Sequence, residues 1–297
     1  MAALLCVALA PVTALADGRA VLGWGRLFDN DAIGDLQDRW RTGSYTLSVV
    51  TGSHWSGHLA PGFGDIVEFR LSAQTIAASN LVSPAPDDRR YVGALSFGMH
   101  SHFDLAGTEA SLGADVIVIG PQTGLGHFQS WVHGILGLPK PLLADQIANA
   151  VYPTVSAEIG KSLAVSSRTT ARPFVSAEAG VETLIRVGAD VVVGTFGNGS
   201  LMARDDATGQ RYRIISGDPA SGTSITVGGD VARVFKSAYL PAGGAAALQP
   251  VRTRLRVGMQ WQRAQASVFY GLTYLGPEFR GQSEGQVVGS LNLNLRF

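Results

Sequence analysis

Gln129 and His133 stand four residues apart in a segment where Phe128, Trp131, Val132, Ile135 and Leu136 recur at spacings of three and four. That rhythm predicts a short amphipathic helix, on which residues four apart share a face. An imidazole so placed can act as a general base near neutral pH, and it can equally be a structural or interfacial histidine. A second polar group surrounds the first predicted hairpin. Asn30 and Asp31 close one strand, Asp35, Asp38, Arg39, Thr42 and Gly43 follow, and Ser48 lies further down the next strand. A carboxylate beside an amide carbonyl can ligate a hard cation such as calcium, while Asp and Gly in a short connection also make ordinary turns. The sequence holds no strand-to-helix nucleophile elbow, no G-x-x-x-x-G-K phosphate loop and no H-E-x-x-H pair.

These residues have to be held by strands. From Val251 to Gln262, Val251, Thr253, Leu255, Val257, Met259 and Trp261, all apolar but Thr253, alternate with polar or small residues, three of them Arg. The segment ending the chain repeats the pattern, with Leu291, Leu293, Leu295 and Phe297 against Ser290, Asn292, Asn294 and Arg296. A period of two defines a strand with one apolar and one polar face. A soluble sandwich would turn the apolar face inward; a transmembrane barrel turns it towards lipid. The number of such segments, about twelve, and the terminal Phe favour an all-β, up-and-down antiparallel transmembrane barrel. In that arrangement 31–42, 76–89 and 120–150 are outer connections, the last carrying the short helix, which Pro139 and Pro141 end. The stretch Asn198–Gly222 fits neither a strand nor a short turn.

Composition agrees. Of 297 residues, 23 are basic and 23 acidic, which excludes a nucleic-acid binder working through bulk charge. Beyond the N-terminus no apolar run reaches the roughly 18 residues of a spanning helix. Met1–Ala16 is apolar and ends Ala14-Leu15-Ala16, the small-x-small pattern of a cleaved signal peptide. The mature chain, 17–297, is then a single barrel domain without cysteine, because the one Cys is Cys6.

Several blocks resemble the outer-membrane lipid A 3'-O-deacylase family. Asn30-Asp31 followed by Asp38-Arg39-Trp40-Arg41-Thr42-Gly43 is similar to its N-terminal signature, in which an Asn-Asp pair precedes D-R-x-Y-T-N-G. Asp88-Arg89-Arg90-Tyr91-Val92-Gly93 resembles its D-R-P-Y-A-G block. Gly120-Pro121, leading to Gln129 and His133, resembles its Gly-Pro and Q-x-x-x-H pair, and Glu278-Phe279 with Gln282 resembles its closing segment. Departures are the shortened Arg41-Thr42-Gly43 and Leu143-Ala144-Asp145-Gln146-Ile147, where the family has G-W-D-x-Q-L. The resemblance implies a twelve-stranded bacterial outer-membrane barrel with periplasmic termini that hydrolyses the 3'-linked acyloxyacyl ester of lipid A with calcium. It implies that His133 activates water, that Asn30 and Asp31 bind the cation or orient the base, that Gln129 accompanies His133, and that Thr42 or Ser48 holds the oxyanion. The partner is lipopolysaccharide, with a monomer expected. A non-enzymatic porin-like barrel, a barrel phospholipase and a secreted sandwich are the alternatives.

Overall fold

Along Val251–Arg263 every second side chain is buried, and the buried ones are polar. Arg252, Arg254 and Arg256 are 5–6% exposed, whereas Leu255 is 62% exposed. The last strand behaves likewise, Asn292 lying inside and Leu293 outside. A soluble sandwich has the reverse arrangement, so that alternative falls. The apolar exterior is a lipid-facing surface.

The computed structural model describes residues 18–217, 221–263 and 266–295; the expected signal segment Met1–Ala16 and the terminal Phe297 lie outside them. In chain order the strands are β1 (Ala20–Asn30), β2 (Trp40–Gly52), β3 (Ile66–Ala77), β4 (Val92–Asp104), β5 (Glu109–Ile119), β6 (Ala150–Gly160), β7 (Leu163–Ser166) and β8 (Thr169–Ala179). They continue as β9 (Glu182–Val193), β10 (Leu201–Arg204), β11 (Arg211–Ile215), β12 (Gly222–Ser237), β13 (Val251–Arg263), β14 (Ala266–Leu275) and β15 (Gln286–Leu295). Twelve of them form a closed antiparallel barrel. β6 pairs with β8, β9 with β12, and β1 with β15 to complete the ring. Between Ala150 and Ser166 the chain makes two strands, β6 and the short β7, and β7 pairs only with β8.

Asn198–Gly222 is where the sequence reading had no answer. Here β10 and β11 pair with each other as a separate two-stranded sheet. Tyr212 and Ile214 of this hairpin are fully buried and pack with Leu27, Val50 and Phe269. β1 admits it through two glycines: a Cβ on Gly23 would stand 2.2 Å from the Ile214 carbonyl oxygen, and one on Gly25 would stand 2.5 Å from Ile214 Cγ2. The hairpin therefore lies against the inner face of the wall.

Ion pairs line the remaining lumen, as charges removed from water must be paired. Arg254 and Arg186 meet Asp230, Arg256 meets Asp230 and Asp190, and Arg204 ties the hairpin to Glu158 and Asp190 on the wall. Connections 31–39, 78–91, 120–149, 238–250 and 276–285 gather at one end of the barrel; β1 begins and β15 finishes at the other.

Candidate active site

The connection after β1 starts with Asn30, whose side-chain oxygen accepts from the Ala32 N–H at 2.8 Å and caps a single 3-10 turn, Asp31–Ile33. The turn buries Asp31. Its Oδ2 accepts from the Arg39 N–H at 2.7 Å, while its Oδ1 meets no donor. Burial above all, with the charges of Asp38 and Asp35 nearby, pushes the Asp31 carboxyl up to about 8 against the pull of the Arg39 N–H.

β2 then begins irregularly. Trp40 has φ 49°, and the pairing with β3 slips between Arg41 and Gly43. Thr42 is thus the extra residue of a β-bulge, a device that re-aims a side chain. Arg41 reaches Glu278 and Glu182, at 2.9 Å and 3.5 Å. Thr42 instead donates its hydroxyl to Asp38 Oδ1 at 2.6 Å.

The helix α1 (Leu125–Leu136) approaches from the other side. It ends at Gly137, left-handed with φ 69°, whose N–H returns to the His133 carbonyl; the terminator is this glycine, and the prolines expected to stop the helix follow it. Phe128, Trp131, Ile135 and Leu136 are exposed, and Gly126 and His133 are buried. A Cβ on Gly126 would come within 2.8 Å of Leu143 and 3.2 Å of the Tyr91 ring, so the glycine sets how closely the helix sits.

His133 Nδ1 lies 2.5 Å from the Pro139 carbonyl oxygen, which can only accept, so Nδ1 carries a proton. Nε2 faces Asp38 Oδ2 at 3.1 Å. Gln129 presents its Nε2 to Asp38 at 3.4 Å and to His133 Nε2 at 3.5 Å, and its Oε1 accepts from the Tyr91 hydroxyl at 3.0 Å. Burial, helped by the Asp38 charge, pushes the Tyr91 phenol up and keeps it a donor.

Of the residues singled out in the sequence, Thr42, Gln129 and His133 meet around one carboxylate. Asp31 lies near enough to feel Asp38, and Asn30 serves as its cap. Ser48 stands apart: it is fully buried, donates to Glu68 Oε1 at 2.6 Å and lies 2.9 Å from the hairpin's Tyr212 hydroxyl. Six residues along a strand put it roughly 20 Å from Thr42. Asp38 and Tyr91 were not assigned roles in the sequence, although both lie in the blocks quoted above; the signal was Asp38 four residues before Thr42. Gly281-Gln282-Ser283-Glu284-Gly285 spells G-x-S-x-G, but it is a connection between β14 and β15 with no helix after it, so Ser283 is no elbow nucleophile.

A family model for the outer membrane protein LpxR matches residues 1–297. The chain belongs to the LpxR family. Among solved structures it is similar to LpxR from Salmonella typhimurium, with a TM-score of 0.76 at 19% identity over 93% of this chain and 100% of that one. The β domain of the Bordetella autotransporter BrkA follows at TM-score 0.47 and 12% identity, over 95% and 100% of the two chains. The NanC porin stands at 0.42 and 6%, over 93% and 100%. No curated protein matches the sequence. The family assignment and the twelve-stranded fold agree, and the chain is an outer-membrane barrel.

Proposed function

We propose that this LpxR-family barrel is a lipid A 3'-O-deacylase. The observation that carries the reading is the convergence of His133, Gln129 and Thr42 on Asp38 beneath a helix whose other face is exposed and apolar. An ester substrate held in a membrane would arrive from that face. The end bearing this cluster then faces the cell exterior, and the chain termini the periplasm.

In the proposed reaction a water beside His133 Nε2 gives its proton to the ring as its oxygen attacks the ester carbonyl carbon. Pro139 holds the proton on Nδ1; the water takes its place between Nε2 and Asp38, which face each other in this structure, and Asp38 then stabilises the imidazolium that forms. Collapse of the tetrahedral intermediate breaks the bond to the sugar 3'-oxygen, which takes the proton back from His133; the acyloxyacyl chain leaves as a carboxylic acid. Thr42, once turned from Asp38, is the hydroxyl placed to donate to the oxyanion.

The unpartnered buried Oδ1 of Asp31 suits a cation, because such an oxygen otherwise holds a proton. Asp31 with Asn30 would hold calcium, the remaining ligands coming from backbone oxygens and water, since no group of three His, Cys, Asp or Glu suited to a metal occurs among the described residues. Bound calcium supplies positive charge that stabilises an oxyanion.

Mass spectrometry of lipid A from cells with and without the protein tests the reading. Loss of one 3'-acyloxyacyl unit is expected, and an unchanged spectrum in calcium-replete medium would overturn it. Chelation should suppress the product in wild type, and Asp31→Asn should remain folded but no longer respond to added calcium.

A further inference from the structure

Behind the segment that returns from α1, residues 147–150 and the connection 238–246 face each other across a cavity of about 280 Å³. Its walls are mainly apolar, Ile119, Ile147, Leu240 and Pro241 among them, and two cations stand in it, Arg89 and Arg90. Arg89 is 1% exposed; its Nη1 meets Glu278 at 2.5 Å, but Nε and Nη2 meet no acceptor. The exposed guanidinium of Arg90 has no hydrogen bond or ion pair among the described residues. Beneath them Arg41, Arg89 and Arg252 pair with Glu278 and Glu182, Arg41 also donating to Gln74, and Arg252 too leaves Nε and Nη2 unpartnered. The nearby Asp88 is taken up by Ser79 and the Arg89 N–H, so two buried guanidiniums keep N–H groups without an acceptor beside an apolar space, a combination that calls for an anion.

We propose that this cavity binds a long-chain carboxylate, its head on Arg89 and Arg90 and its alkyl chain along Ile119, Ile147 and Leu240. Resting on the deacylase reading, the ligand is the acyloxyacyl acid that hydrolysis sets free, seated by its carboxylate and its primary chain. A free inorganic anion would meet the guanidiniums but leave the apolar walls bare, and a neutral chain would leave the charge unmet. The site adjoins the catalytic cluster: the Ile147 N–H donates to the Tyr91 carbonyl at 2.9 Å, and the Tyr91 hydroxyl holds Gln129. A released acid would have a cationic seat joined through Tyr91 and Gln129 to where its ester was cleaved.

The test uses the full barrel in lipid nanodiscs, carrying His133→Ala so that nothing turns over, with laurate as probe. Saturable binding at one site is expected. Arg90→Gln, which removes a charge-assisted contact from an exposed position, should weaken it at least about tenfold. Ala245→Trp, on an exposed loop bordering the cavity, should weaken it similarly by filling the space. Equal concentrations of inorganic phosphate or lauryl alcohol should displace little laurate. Laurate binding unchanged by both substitutions, or displacement by phosphate alone, overturns the proposal. Because binding needs no turnover, an intact laurate site when the wild-type protein leaves lipid A unchanged would sink the deacylase reading alone, and full deacylation by the wild type without laurate binding would sink the cavity alone.

Discussion

A histidine accepts a proton usefully only when its ring is held and the nitrogen that does the work is free of a proton. Pro139 supplies the first condition through Nδ1, and Asp38 is the charge that the imidazolium would need once it forms. His133→Ala should therefore cost on the order of 10²–10⁴-fold in deacylation rate with folding intact, measured beside the heat-modifiable gel shift of the folded barrel. Asp38→Asn keeps the size and the hydrogen bond from Thr42 but removes the charge, so a loss of about 10²-fold in kcat with little change in KM is expected. A folded Asp38→Asn protein with wild-type turnover would remove that residue from the mechanism. Asp38 went unassigned in the sequence for a physical reason. In a stretch with Asp31, Asp35 and Asp38, spacing alone does not say which carboxylate a helix some ninety residues later will meet. Ser48 illustrates the converse: its place on β2 was legible, but the bulge at Thr42 and the hairpin behind Ser48 decide which hydroxyl reaches the rim.

At the level of elements, the site depends on how closely α1 approaches the start of β4. The helix itself was legible, since the stripe of Phe128, Trp131, Ile135 and Leu136 repeats at helical spacing. What that stripe faces was not. In a soluble protein it would seek the core; here it is exposed, so the narrow opposite face, Gly126 and His133, is the one that packs. Gly126→Leu should push the helix from Tyr91 and Leu143, pull Gln129 and His133 out of register with Asp38, and lower activity at least about tenfold. The strands should hold, since their pairing does not involve this helix, and an unchanged gel shift alongside the lost activity is the expected result. Retained full activity would mean that the helix position tolerates the added side chain.

For the molecule as a whole, the twelve-strand wall was legible because a period of two survives the inversion of inside and outside. The β10–β11 hairpin was not: its strands are four and five residues long, and what seats it is the pair of glycines in β1, nearly two hundred residues away. At the end bearing the candidate site, Glu278 gathers Arg41, Arg89 and Arg252. Burial disfavours that carboxylate, but the guanidiniums of Arg41, Arg252 and Arg89 hold it well below the usual range. A lowered folded-state pKa contributes stability that is complete above the unfolded value, about 4.3, and is lost as pH falls through the folded value. Glu278→Gln should thus lower the thermal midpoint at pH 7, by the equivalent of roughly 3 kcal/mol for a broken buried pair, with the gap to wild type closing only below about pH 4. Equal midpoints at pH 7 would show that these pairs contribute nothing to stability.

The hairpin has a further meaning for the cell that carries this barrel. A twelve-stranded ring left hollow would breach the barrier that keeps bulky hydrophilic antibiotics out, yet this one encloses a folded strap and a lattice of paired charges. Cells making the protein should remain as resistant to vancomycin as cells without it, whereas a version lacking residues 198–217 should insert, conduct ions in planar bilayers and sensitise its host. A barrel of the outer membrane can in this way be abundant without becoming a leak.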